Sequence, residues 1–113
     1  MTISTHVLDT AQGRPAEGVP IALEREAADG TWERLGAGST NADGRLADLV
    51  RPQASLAPGT YRLVFDTGAY FRKHDLPAFY PQVSVVFAVE HGGGHYHVPL
   101  LLSPYGFTTY RGS

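Results

Sequence analysis

Imidazole is the side chain best placed to move protons near neutral pH, and this 113-residue sequence carries five histidines, His6, His74, His91, His95 and His97, beside no cysteine at all. The lack of cysteine removes thiolate nucleophiles, disulfide frameworks and cysteine-containing zinc sites. His6 stands in an extended run, Ile3 to Asp9, where alternation puts it on one face with Ser4 and Leu8, opposite Thr5, Val7 and Asp9. His97 shares its face with His95, Pro99 and Leu101 rather than with Tyr96 and Val98. His95 and His97 form a His-x-His pair, a spacing that two zinc ligands can use. No cysteine or matched carboxylate motif supplies a third and fourth ligand, so the expectation is no metal and no cofactor. By position alone a strand histidine is more often structural than catalytic, and His74, His91 and His95 read as solvated loop or hairpin residues. Arg45 directly follows the turn Asn41-Ala42-Asp43-Gly44, and in isolation it reads as an edge-strand charge. No Gly-x-Ser-x-Gly elbow occurs, and Gly92 to Gly94 is followed by neither a helix nor a lysine, which excludes a nucleophile-elbow hydrolase and a phosphate-cradling loop.

The elements that must position these residues are strands. Ile3 to Asp9 is closed by the turn-forming Gln12-Gly13-Arg14-Pro15. Val19 to Arg25 leads through Ala28-Asp29-Gly30 into a third strand containing Trp32 and Leu35. Asp43-Gly44 tolerates positive φ and delivers Arg45 just past the bend. Residues 51–59 read as a surface loop. In Thr60 to Asp66, Tyr61, Leu63 and Phe65 alternate with Arg62 and Val64. Thr67 to Asp75 lacks strand alternation and is expected to form the only helix, capped by Thr67 and stopped by Pro77. Val83 to Val89 is a nearly continuous apolar strand, Gly92 to Gly94 a hairpin, Tyr96 to Leu102 the last strand, and Thr108 to Ser113 a short tail. The pattern predicts one all-β domain over residues 1–113, a sandwich of antiparallel sheets.

Composition agrees with a folded domain, 42% hydrophobic and 18% charged. A net charge of −2 offers no surplus of cations to neutralise phosphates, so nucleic acid is not the expected partner. No long apolar run suggests a membrane span and no export leader is evident, which makes cytoplasm the expected location.

The C-terminal run His95-Tyr96-His97-Val98-Pro99-Leu100-Leu101-Leu102-Ser103-Pro104-Tyr105-Gly106-Phe107-Thr108-Thr109-Tyr110-Arg111-Gly112-Ser113 strongly resembles the signature of 5-hydroxyisourate hydrolases, enzymatic relatives of transthyretin. Tyr110-Arg111-Gly112-Ser113 is that family's hallmark and is lacking in the hormone-carrier branch. His6-Val7-Leu8-Asp9 with Gly13-Arg14-Pro15-Ala16 resembles the family's N-terminal motif, and Asn41-Ala42-Asp43-Gly44-Arg45 its central one. The resemblance implies a transthyretin-like sandwich of two four-stranded antiparallel sheets with one short helix. It also implies a homotetramer, a dimer of dimers, with sites in a channel between dimers. A channel wall would account for strands in which polar and apolar groups share a face, such as Thr5-His6-Val7. His6, Arg45 and His97 fall on the catalytic positions, and Tyr110, Arg111, Gly112 and Ser113 on substrate-binding ones. The activity implied is hydrolysis of 5-hydroxyisourate to 2-oxo-4-hydroxy-4-carboxy-5-ureidoimidazoline in urate catabolism, by histidine-assisted attack of water on a cyclic amide carbonyl, with the small-molecule substrate as its partner. Which histidine is the base stays open. The rival reading is a non-catalytic transthyretin-like binding protein; it would be marked by loss of the histidines or of the terminal tetrapeptide, and neither is lost.

Overall fold

The computed structural model describes residues 2–47, 49, 57–90 and 94–113, so that His91 and most of the expected loop 51–59 lie outside the described residues. In chain order the elements are β1 (Thr2–Asp9), β2 (Arg14–Pro15), β3 (Pro20–Glu26), β4 (Trp32–Ser39), β5 (Arg45–Leu46), β6 (Gly59–Phe65), α1 (Thr67–Lys73), β7 (Val83–Val89), β8 (His95–His97), β9 (Leu100–Ser103) and β10 (Gly106–Thr109). One sheet runs β4-β3-β6-β7, antiparallel throughout. The other is built on β1, with β5 and β2 pairing along one side and β8 and β9 along the other, β10 lying outside β9.

The sandwich and its single described helix match the expectation, whereas the second sheet departs from it in detail. It holds six strand pieces on four tracks, and β1 runs parallel, not antiparallel, to β8 and β9. The run expected from Tyr96 to Leu102 is cut because Pro99 has no N–H to give to the ladder. The break is sealed instead by Val98 N donating to Ser4 O at 3.0 Å and by the buried Thr5 hydroxyl donating to Val98 O at 2.6 Å. Part of the expected tail is itself a strand, β10, which returns antiparallel along β9.

Period-two alternation sorts β1 as expected: Ile3, Thr5, Val7 and Asp9 are buried, and Ser4, His6 and Leu8 are half-exposed. The buried side packs with Leu23, Tyr61, Leu63, Phe65, Phe71, Leu100 and Leu102 into one core between the sheets. Each such large apolar side chain contributes about 1.5–3 kcal/mol when fully buried. α1 is shorter than expected and its cap is one residue earlier. The Asp66 carboxylate accepts from Ala69 N at 3.0 Å, while Thr67 is fully buried and its hydroxyl donates to Tyr80 O at 2.6 Å.

Asp9 of the N-terminal motif serves the fold. Its buried carboxylate accepts from Ala11 N, Gln12 N, the Gln12 amide and the Tyr70 hydroxyl, the last at 2.7 Å, tying β1 to α1. Burial, then this hydrogen bond and the Asp9 charge, push the Tyr70 phenol upward, so the hydroxyl is a permanent donor at neutral pH. Tyr70→Phe is expected to lower stability by about 1.5–3 kcal/mol, the range for a hydrogen bond to a charged group. Urea unfolding reads this loss, and an unchanged midpoint would show that Asp9 is held by its other three donors.

Candidate active site

The outward face of the β1-centred sheet collects the residues that can do chemistry. The turn before β5 is closed by Asn41, whose side-chain oxygen accepts from Asp43 N at 2.9 Å and Arg45 N at 3.0 Å. Gly44 sits at φ 74°, and a Cβ there would lie 2.4 Å from Val7 O, so the turn packs against β1 as only glycine allows. This close approach sets the register in which Arg45 stands directly across from His6. His6 Nε2 lies 2.9 Å from Asp43 O. A carbonyl can only accept, so Nε2 carries a proton, and in the neutral ring Nδ1 holds the lone pair.

On the opposite side of β1, the parallel register sets His97 beside Ser4 and His95 beside Thr2. Ser4 Oγ lies 2.8 Å from His97 Nδ1 and 3.3 Å from His95 Nε2, and the Thr2 hydroxyl contacts His95 Nδ1. The two imidazoles stack nearly parallel, with centroids 6.1 Å apart. His97 is half-buried and His95 exposed. Desolvation, then the positive fields of His95, Arg45 and His6, hold His97 below the usual imidazole range, so that it is neutral at physiological pH.

The tail returns to the same residue. Gly112 bridges His97, with Gly112 N donating to His97 O at 2.8 Å. The Arg111 guanidinium lies 4.9 Å from the centre of the Tyr96 ring. Tyr110 and Arg111 line a cavity of about 260 Å³ with Val85, Phe87, Tyr96, His97 and Val98.

The residues singled out from sequence therefore form two groups. His6 and Arg45 are paired across one edge of β1, while His97, Tyr110, Arg111 and Gly112 gather on the other; Ser113, at the end of the tail, is exposed. His6 and Arg45 do not line the cavity. His74 lies apart, against Tyr70 at the end of α1. No metal-ligand cluster of three or more His, Asp or Glu residues occurs among the described residues, and the His95–His97 spacing is occupied by hydroxyl contacts. Ser4 escaped the sequence reading although its alternation with His6 was visible; its partner lies 93 positions away.

A sandwich of this topology, with imidazoles and a guanidinium on the outer face of one sheet, defines a transthyretin-like domain. The chain belongs to the HIUase/transthyretin family, whose model matches residues 3–112. It is 47% identical over 111 residues to a 5-hydroxyisourate hydrolase of Salmonella dublin, an alignment covering 98% of this chain and 80% of that one. Among solved structures it superposes on the 5-hydroxyisourate hydrolase of Klebsiella pneumoniae with a TM-score of 0.84 at 40% identity, covering 99% and 98% of the two chains. Transthyretin from Sparus aurata superposes at 0.90 with 35% identity, covering 96% and 94%. The backbone thus fits the carrier at least as well as the hydrolase, and any distinction between them rests on side chains.

Proposed function

We propose that this chain hydrolyses 5-hydroxyisourate to 2-oxo-4-hydroxy-4-carboxy-5-ureidoimidazoline in urate degradation, as a single cytoplasmic domain over residues 1–113 assembled into a homotetramer, a dimer of dimers. The observation that carries the reading is one sheet face bearing His6, Arg45 and His97, with Gly112 of the tail bridged to His97. The chemistry agrees with the product: splitting one amide C–N bond of a cyclic ureide leaves one carboxyl and one ureido nitrogen.

His97 is the base in this reading. Its Nδ1 is engaged by Ser4, which leaves Nε2 to take the proton of an attacking water, and its lowered proton affinity keeps it unprotonated. The water oxygen bonds to the carbonyl carbon, and Arg45 stabilises the oxyanion through its fork of donors. As the C–N bond breaks, His97 returns that proton from Nε2 to the leaving nitrogen, while His6, whose Nε2–H is held by Asp43 O, has its Nδ1 lone pair to position the water. Tyr110, Arg111, Gly112 and Ser113 bind substrate and shape its pocket.

Assembly is supported by two open sheet edges. Among the described residues β7 pairs only with β6 and β10 only with β9, and Val86, Phe107 and Tyr110 on or beside them are 58%, 41% and 56% exposed. A channel between dimers would enclose the face that a lone chain leaves open. A cysteine-free chain makes no demand on an oxidising compartment, in keeping with cytoplasm.

The direct experiment generates 5-hydroxyisourate with urate oxidase and follows its ultraviolet decay with and without the protein, before and after exhaustive chelation. Decay faster than the spontaneous rate, insensitive to chelation, is expected; decay at the spontaneous rate removes the reading. A lowered His97 also fixes the pH profile. kcat/KM is expected to stay level as pH falls to the usual imidazole value of about 6.5 and to decline only below it. An acid limb centred above that value would assign the base to another group.

A further inference from the structure

The parallel register of β1 and β8 interleaves hydroxyls and imidazoles along one face: Thr2 beside His95, Ser4 between His95 and His97. We propose that Ser4 is the positioning residue of His97, holding the ring in the tautomer whose Nε2 is unprotonated, and that His95 and Thr2 in turn orient the Ser4 hydroxyl. The inference rests on His97 being the base.

Hydrogen-bond direction follows from counting protons. For His97 Nε2 to act as base it must carry a lone pair, so the single proton of the neutral ring sits on Nδ1 and is donated to Ser4 Oγ at 2.8 Å. Ser4 has one hydroxyl proton, and with its oxygen accepting from His97 that proton points to His95 Nε2 at 3.3 Å. His95 is then protonated on Nδ1, which donates to the Thr2 hydroxyl. Every donor points away from the reacting side, and only this order leaves Nε2 open.

The same order lets the base reset itself. When His97 Nε2 has taken a proton from water, the ring is an imidazolium whose Nδ1–H still donates to Ser4 Oγ, and the proton it gives up, to the leaving nitrogen, is the one on Nε2. Nε2 is then open again with Nδ1 protonated, so protons balance over one turnover. Desolvation of the ring and the electrostatic influence of His95 on its own strand, Arg45 on β5 and His6 on β1 favour that departure.

Ser4→Ala and Ser4→Thr test the proposal in the intact protein. Ser4→Ala is expected to lower kcat about ten- to hundredfold with KM little changed, since tautomer control can be worth no more than the ~10²–10⁴-fold of the base itself. Ser4→Thr keeps the hydroxyl and should restore most of the rate. The substrate-free readout is ¹⁵N NMR of His97: protonated on Nδ1 in the parent and Ser4→Thr proteins, shifted toward the other tautomer in Ser4→Ala. An unchanged tautomer with an unchanged kcat in Ser4→Ala overturns the proposal, as does failure of Ser4→Thr to rescue a folded protein. A parent protein that shows no hydrolysis would instead sink the functional reading, and the NMR result would still decide whether Ser4 orients His97.

Discussion

Replacing Arg45 by lysine is expected to lower kcat/KM by about 10²-fold, the size of losing one strong oxyanion contact, even though the charge is kept. Arg45 is exposed, among the described residues has no carboxylate partner within ion-pair distance, and stands across from His6 on the face shared with His97. A guanidinium presents coplanar donors to two oxygens at once, whereas an ammonium is a point charge on a flexible stem and cannot hold a urea-like edge in one orientation. Because the positive field is retained, the depression of His97 should also be retained, so the acid limb of the pH profile should stay where it is while the whole curve drops. Steady-state kinetics across pH reads both effects. Activity within a factor of two of the parent would make Arg45 an ordinary surface charge.

Gly112→Ala is expected to cost a similar factor through geometry alone. A Cβ at this position would lie 2.5 Å from His97 Cδ2, 3.3 Å from His97 Cγ and 3.2 Å from Pro99 Cγ. No real contact is that short, and Pro99 is buried, so the imidazole is the group that must yield. A displacement of about 1 Å of a catalytic group costs roughly 10²-fold, so kcat/KM should fall by about that much. The core is untouched, and thermal unfolding should shift little. Deleting Tyr110 through Ser113 removes the bridge to His97 and the cavity wall together and should lower hydrolysis by well over about tenfold. Light scattering reports whether the assembly survives the deletion, and Ser113→Ala, which changes only one exposed side chain, is the mild control. A truncated protein of unchanged assembly and undiminished turnover would reduce the tail to a family marker.

Much of this site is legible in the sequence. Alternation in β1 placed His6 on the outward face, because a strand turns every second side chain to the same side whatever its partners are. Asp43-Gly44 announced the bend that delivers Arg45, since few residue pairs accept positive φ so readily. Resemblance supplied the tail. Local rules failed where two residues could do one job: Asp66 and Thr67 are both capping types, and the carbonyl of Tyr80, far along the chain, decided between them by drawing off the Thr67 hydroxyl.

The sequence by itself determined which faces are apolar, where the chain bends, and that imidazole and guanidinium are the reactive groups at hand, because these follow from residue type and spacing along one strand. Only the tertiary structure decided which strands lie side by side. The parallel register of β1 with β8 sets Ser4 against His97, the glycine-tight turn at Gly44 sets Arg45 against His6, and the returning tail sets Gly112 against the His97 ring. Strand pairing is a choice among partners far apart in sequence, made by the burial of a whole sheet face and by backbone hydrogen bonds common to every residue. A short motif therefore carries almost no record of it.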